Sequence, residues 1–158
     1  MTEKVDDIQV LVFNIMGVKM GVDTEQVYGM RDHLHAEGED LKIARFHEKI
    51  PFRITPVIYR SPKILLIRDD AASSGSGIIV DEPEDIVSIP IDSIRPLPPL
   101  LELLCPSRQI WGTAIRSHAD LSPKVSIGER GSEKDEIILL VDFYRLLNYG
   151  TKEVIKTV

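Results

Sequence analysis

The chain has 158 residues, of which 19 are Lys or Arg and 25 are Asp or Glu, so its formal net charge is −6. This length supports one domain with a single core, or two small cores that share a wall. The net negative charge repels phosphate backbones and anionic membrane surfaces, which argues against a nucleic acid as partner.

The N-terminus and the cysteine content bear on location. Residues 1–7 carry charges of both signs without an apolar signal segment, and the apolar runs of the chain are far shorter than the roughly 20 residues of a spanning helix. The single cysteine, Cys105, excludes an internal disulfide and agrees with a reducing compartment. We therefore expect a cytoplasmic protein without membrane insertion.

The first third of the chain predicts short strands. Residues 8–15 are β-branched and aromatic and are closed by Gly17, after which residues 19–23 alternate polar and apolar, so the two segments predict a hairpin. Asp23 supplies a capping oxygen for a helical turn that ends at Gln26. Residues 27–31 are expected to be extended again, and the polar residues 32–40 to form a solvated loop.

The middle of the chain predicts strands interrupted by proline. Apolar residues within 41–50, at 57–59 and at 64–67 mark three strand regions, because prolines between them remove ladder donors. Residues 69–76 are small and rich in Gly and Ser, which is typical of a flexible turn between strands.

The last third continues the β pattern and adds two helical segments. Strands are predicted from residue 77 to 91, at 110–115 and at 137–141, with a proline-rich extended path at 96–99 and a polar excursion over 117–135. Residues 100–104 predict a turn of helix. Phe143, Leu146 and Leu147 recur at helical spacing, so a short helix is expected to end near residues 148–150. About ten short strands favour a β-barrel or sandwich.

Three segments together resemble the CheW-like family, which includes the coupling protein of bacterial chemotaxis and the regulatory domain of its histidine kinase. They follow the family's order along residues 8–147, which is more informative than any one motif. The segments are Val10-Leu-Val-Phe13 with Met20-Gly-Val-Asp23 and Val27; Gly77-Ile-Ile-Val-Asp81 with Ile86-Val87, Ile91, Ile94 and Pro96-Leu97-Pro98; and Ile110-Trp-Gly-Thr-Ala114 with residues 137–147.

The resemblance implies a mainly β fold: two five-stranded SH3-like β-barrel subdomains that share a hydrophobic seam, with a short C-terminal helix. The whole chain, 1–158, would form one such domain, with residues 151–158 as a loose tail. It also implies a non-catalytic adaptor that couples chemoreceptors to a CheA-type histidine kinase, without cofactor or metal. The implied partners are the kinase regulatory domain, the cytoplasmic tip of a chemoreceptor and other CheW-like domains.

By the same resemblance, Val27, Pro83 and Ile86 occupy positions that form or support partner contacts. Because Pro83 has no N–H, it would remove one backbone hydrogen-bond donor from an exposed strand edge. A plain turn at this position explains the proline equally well.

The chain departs from the family pattern in its middle. Alignment on Pro51 places Phe46-His47-Glu48 where the family has Leu-Arg-Gly, and Gly29 where it has a glutamate. These departures predict a changed interface. A stand-alone or self-associating regulator that no longer binds receptors is therefore an alternative.

An enzyme is the least favoured alternative. His33 and His35, with nearby acidic residues, offer alternating imidazoles for a metal, but a polar surface loop explains them more simply. Cys105 follows an apolar run and is expected to be an inert buried thiol. The acidic residues 81, 82, 84 and 85 are expected to be solvated, and Trp111 to lie in the core. We accordingly assign no catalytic residue.

Overall fold

The computed structural model describes residues 6–32, 42–50, 57–68, 75–105, 108–116 and 135–148. This part of the chain forms nine β-strands, two short α-helices and three single turns of 3-10 helix. The strands are β1 (Asp7–Ile15), β2 (Val18–Asp23), β3 (Val27–Asp32), β4 (Lys42–Arg45), β5 (Pro62–Ile67), β6 (Ser76–Asp81), β7 (Pro83–Pro90), β8 (Ile110–Arg116) and β9 (Glu136–Val141); the helices are α1 (Pro99–Leu104) and α2 (Phe143–Asn148).

The first sheet has five strands in the order β7-β1-β2-β9-β8. β1 and β2 form an antiparallel hairpin, and its turn places both Met16 and Gly17 at positive φ, a conformation for which glycine is suited. β2 then pairs in parallel with β9, and β8 pairs antiparallel with β9. Both ends of the described chain therefore contribute to this sheet.

The second sheet has four strands in the order β3-β5-β6-β4. β5 and β6 pair antiparallel, and β4 joins β6 in parallel. β6 is buried along its whole length. Gly77 permits the closest approach within it, because a Cβ there would lie 2.7 Å from Cγ2 of Ile64 on β5.

The largest core cluster lies between the two sheets and includes residues of β1, β2 and β9 from the first sheet and of β5 and β6 from the second. Phe13, Phe46 and Phe143 meet there; the rings of Phe13 and Phe46 are 5.3 Å apart at 78°, an edge-to-face contact. Each buried phenylalanine contributes about 1.5–3 kcal/mol. We call this shared core the apolar seam.

A smaller core cluster lies within the first sheet. It contains Val10, Val12, Ile89, Ala114, Ile138 and Leu140.

A hydrogen-bonded link joins the second sheet to α2. Gln26, directly before β3, accepts a bond from the N–H of Phe143 at 2.8 Å and donates from Nε2 to Asp142 Oδ1 at 3.2 Å. Asp142 Oδ1 also accepts from the N–H of Tyr144 at 3.0 Å, so it caps α2. The Tyr144 hydroxyl donates to the carbonyl of Arg68, after β5, at 2.7 Å. Together with the apolar seam, this link fixes the two sheets relative to each other.

The structure confirms a mainly β fold with two sheets on an apolar seam and a short C-terminal helix. Within the described residues it differs from two five-stranded barrels, because the second sheet there has four strands and no continuous ladder there closes either sheet.

Several local expectations can also be compared with the structure. The 8–15 and 19–23 segments form the predicted hairpin, and Asp23 caps the following turn. The expected strand at 57–59 is absent; the N–H groups of the two residues that follow, Arg60 and Ser61, bond the carboxylate of Asp81 instead of a ladder. The expected loops within 33–41, 69–74 and 117–134, and the tail 151–158, lie outside the described residues.

Candidate protein-interaction surface

Two of the three predicted partner residues lie on one edge strand. Pro83 begins β7 opposite Phe13, and Ile86 lies opposite Leu11 with 59% of its side chain exposed. Val27 begins β3 in the second sheet, is partly buried and packs against the apolar seam. The structure therefore brings Pro83 and Ile86 together and places Val27 on the other sheet.

A groove runs between β7 and β8, the two edge strands of the first sheet. We call it the edge groove; its volume is about 490 Å³. The carboxylate of Asp85 on β7 pairs with the Arg116 guanidinium on β8 at 3.1 Å. Beyond the end of β7, Arg95 exchanges two backbone hydrogen bonds of 2.9 Å with Thr113 of β8 and closes the other end of the groove. The lining residues are Asp85, Ile86, Val87, Ser88, Ile89, Pro90, Ser93, Ile115, Arg116 and Ile138.

The edge groove has an apolar base and an apolar rim. Ile89 and Ile138 are buried members of the smaller core cluster, whereas Ile86 and Ile115 on the rim are each 59% exposed. Ile137, the cross-strand neighbour of Ile115, is 61% exposed. The exposure of Ile137 has no sequence signal, because residues 137–141 of β9 are continuously apolar and give no period that separates the two faces of the strand.

A second concavity, of about 560 Å³, lies where the hairpin turn of the first sheet meets the β6–β7 junction. Met16 and Ile58 are exposed on it, and Asp81, Glu82 and Arg60 contribute charges. Oδ1 of Asn14 is buried without a hydrogen-bond partner in the structure.

The acidic residues at the β6–β7 junction have separate roles. Asp81 is buried, and its carboxylate accepts the N–H groups of Ser61 at 2.6 Å and Arg60 at 3.0 Å. The expectation that Asp81 is solvated is therefore wrong, since it holds the segment before β5 against β6. Glu84 pairs with Lys19 of β2.

Cys105 and Trp111 differ in how they match expectation. Cys105 is buried as expected and its Sγ lies 3.2 Å from Oε1 of Gln109, so this thiol cannot reach a solvent substrate in the folded state. Trp111 was expected in the core but is 41% exposed. The physical reason is a register shift between Ile110 and Gly112, which leaves Trp111 as the extra residue of a β-bulge and directs it outward.

The turn at residues 46–48, where the sequence departs from the pattern that it otherwise resembles, forms specific contacts of its own. Phe46 is buried in the apolar seam, and His47 Nδ1 lies 2.8 Å from the Tyr59 hydroxyl with the two rings edge to face. Burial is the main cause that raises the pKa of Tyr59, and the hydrogen bond from the His47 backbone opposes it.

Among the described residues no cluster of His, Cys, Asp and Glu could hold a metal ion, and His33 and His35 lie outside them. Among the described segments, no helix combines the length and the apolar character that crossing a membrane requires.

Comparisons with known proteins identify the fold. No protein-family model and no curated protein sequence matches the chain. Among solved structures, the crystal structure of the scaffolding protein TtCheW from Thermoanaerobacter tengcongensis matches with a TM-score of 0.61 over 92% of this chain and 91% of that chain, at 13% sequence identity. The chain has a CheW-like fold. Within this CheW-like fold, the edge groove and the Val27 region belong to different sheets.

Proposed function

We propose that this protein is a non-catalytic, cytoplasmic adaptor of chemotaxis-type signal transduction, which couples chemoreceptors to a CheA-type histidine kinase. The observation that carries the proposal is the match of almost the whole chain to the backbone of a CheW scaffolding protein. Because one fold can host several functions, the surface residues must supply the remaining support.

The exposed side chains support a role in protein contacts. Ile86, Ile115 and Ile137 are large apolar residues exposed close to one another on the first sheet, and such patches mark interaction sites more often than isolated exposed residues do. We assign Val27, Pro83 and Ile86 to partner contacts, with the kinase regulatory domain and the receptor tip as the candidate partners.

The fixed arrangement of the two sheets suggests how the adaptor would act. An adaptor that holds receptor and kinase in a defined relation can bias the kinase between two states, provided its contacts differ between those states. The Gln26 link to Asp142 and Phe143 and the apolar seam hold the two sheets in a fixed relative position. A partner bound to one sheet would therefore be positioned relative to a partner bound to the other.

A second candidate is a stand-alone or self-associating regulator. It is favoured by the turn at residues 46–48, where Phe46 is committed to the core and His47 to Tyr59, so this turn offers no arginine to a partner. Gly29 of β3 likewise offers no carboxylate where the family pattern has one.

The test is reconstitution with the chemoreceptor cytoplasmic fragment and the histidine kinase of the same host. Adaptor activity predicts that kinase autophosphorylation rises with added protein, and that Ile86→Arg reduces the apparent affinity about tenfold, as expected for a central apolar contact. Ile58→Arg, an exposed isoleucine outside the edge groove, is the matched control.

Two results would decide against the first candidate. If the protein bound neither kinase nor receptor and remained monomeric in light scattering, both the adaptor role and self-association would be contradicted. Self-association without kinase or receptor binding would favour the second candidate instead.

A further inference from the structure

The backbone groups that face the edge groove follow from the hydrogen-bond pattern of its two strands. In an antiparallel pair, residues alternate between bonding their neighbour and pointing away from it. Thr113 exchanges its backbone hydrogen bonds with Arg95, at the end of the groove, and not with β9, so Ile115, two residues later, also turns its N–H and C=O away from β9 and to the groove side. No described residue supplies a backbone partner for Ile115 on that side.

The same alternation applies to β7. The N–H of Ile91 donates to the carbonyl of Asp6 at 2.8 Å, which fixes residues 89 and 87 as those that bond β1. Ile86 and Ser88 therefore direct their backbone groups away from β1 and into the edge groove. The groove thus presents unpaired donors and acceptors on both walls, at the spacing of extended chain.

Prolines stand at both ends of β7 and limit how far another strand could pair with it. Pro83 and Pro90 have no N–H to donate, and this is a common means of protecting an edge strand. Between these prolines, and beyond the Arg95–Thr113 contact that closes one end, the stretch of a bound segment that can pair with both walls is about three residues long, at 3.3 Å each, and the rest of the segment would extend past it.

The side chains of the edge groove determine which side chains a bound segment can have. Its base is apolar, formed by Ile89 and Ile138, so side chains on the inward face of the segment must be apolar. The charged residues that line the groove, Asp85 and Arg116, pair with each other. Beside the Pro90 end, just outside the lining, stand Asp7, which lies opposite Pro90 on β1, and Asp92, in the turn after β7; neither forms an ion pair with a described residue. Asp7 accepts only the Ser88 hydroxyl, at 2.9 Å.

We propose that the edge groove binds an extended segment of a partner protein as a sixth strand of the first sheet, with alternating apolar side chains and a basic residue near Pro90. Its backbone would pair with Ile115 on one wall and with Ile86 and Ser88 on the other. The apolar side chains would cover Ile89 and Ile138, and the basic residue would meet Asp7 and Asp92. This goes beyond the adaptor role, because it holds whichever pathway the partner belongs to.

The first experiment measures amide hydrogen exchange in the free protein. The amides of Ile86, Ser88 and Ile115 are expected to exchange at least about a hundredfold faster than those of Val87 and Ala114, which pair within the sheet. Equal protection of both groups would mean that the groove is closed, and would overturn the proposal.

The second experiment uses a synthetic probe, Ac-Lys-Val-Thr-Val-Thr-Val-Lys-NH2, titrated by NMR and calorimetry. Binding is expected to shift and protect the Ile86, Ser88 and Ile115 amides. A peptide of the same sequence with alternate amides N-methylated should bind about tenfold more weakly, because it retains the side chains but loses the donors of one edge. Replacing both terminal Lys with Glu should also weaken binding, and this difference should shrink with added salt.

Variants separate the groove from general surface stickiness. Ile115→Ser should weaken probe binding about fivefold, and Ile58→Ser, equally a change of an exposed isoleucine, should leave it unchanged. Equal affinity for the N-methylated peptide, or an equal effect of both variants, would overturn strand addition. A protein that dimerises through these same amides would make a second copy the occupant and overturn the choice of partner. None of these outcomes depends on a kinase or receptor, so the adaptor role can fail or succeed separately.

Discussion

Replacing Asp81 with alanine should destabilise the fold by about 2–4 kcal/mol. The buried carboxylate accepts two backbone N–H groups, from Ser61 at 2.6 Å and Arg60 at 3.0 Å, and each hydrogen bond to a charged acceptor contributes about 1.5–3 kcal/mol. Arg60 and Ser61 are exposed residues, so in the variant water can accept hydrogen bonds from their N–H groups. The loss of stability is therefore smaller than the sum of the two hydrogen-bond energies.

The effect can be dissected with a second variant and a control. Asp81→Asn retains one acceptor oxygen and should lose about half as much as the alanine variant. Asp85→Ala removes an exposed ion pair to Arg116 and should cost no more than about 0.5–1 kcal/mol. Urea unfolding monitored by circular dichroism gives all three values. If Asp81→Ala lay within about 0.5 kcal/mol of the parent protein, buried acceptance by this carboxylate would not be what holds the segment before β5.

Three further predictions test packing and ionisation. Gly21→Ala places a Cβ 2.3 Å from Cγ1 of Val10, so it should cost about 1–3 kcal/mol by overpacking, and thermal unfolding at an unchanged midpoint would contradict the packing described. Because burial raises the pKa of Tyr59 above its ordinary value, the folded state keeps the hydroxyl proton longer than the unfolded chain. The free energy of unfolding should therefore fall as the pH rises above about 10. Tyr59→Phe removes the bond to His47, but it should make the free energy of unfolding less dependent on pH in denaturant titrations at alkaline pH. If this pH dependence were unchanged in the variant, Tyr59 would not be its cause. Cys105 should react with a thiol reagent only at the rate of opening, so a rapid stoichiometric reaction in native buffer would contradict its burial.

The sequence predicted those elements whose local chemistry agrees with their final environment. β1 and β2 carry a strand pattern on both sides of a Gly turn, and Asp23 caps the turn that follows, so the hairpin and the cap could be derived from adjacent residues. The helix after β9 was predictable for the same reason, since Asp142 stands directly before an apolar helical spacing.

The features that escaped prediction depend on partners distant in the chain. Asp81 lies among acidic residues in a sequence typical of a solvated segment. The hydrogen-bond donors to its carboxylate come from Arg60 and Ser61, some twenty residues earlier in the chain. Trp111 is an aromatic beside a strand glycine, and the bulge that turns it outward is set by the pairing of β8 with β9. The edge groove is defined by two strands that are neighbours only because the sheet curves, which no local pattern records.

The parallel pairing of β2 with β9 encloses the whole second sheet within the sequence of the first. Residues 20–22 pair with residues 139–141, and the strands of the second sheet occupy the interval between them. During translation, the nascent chain can therefore assemble the β5–β6 hairpin early, while β2 keeps an open edge until residues 136–141 have left the ribosome. Contacts of such long sequence separation slow folding, and a premature stop before β9 would leave an apolar edge available for aggregation.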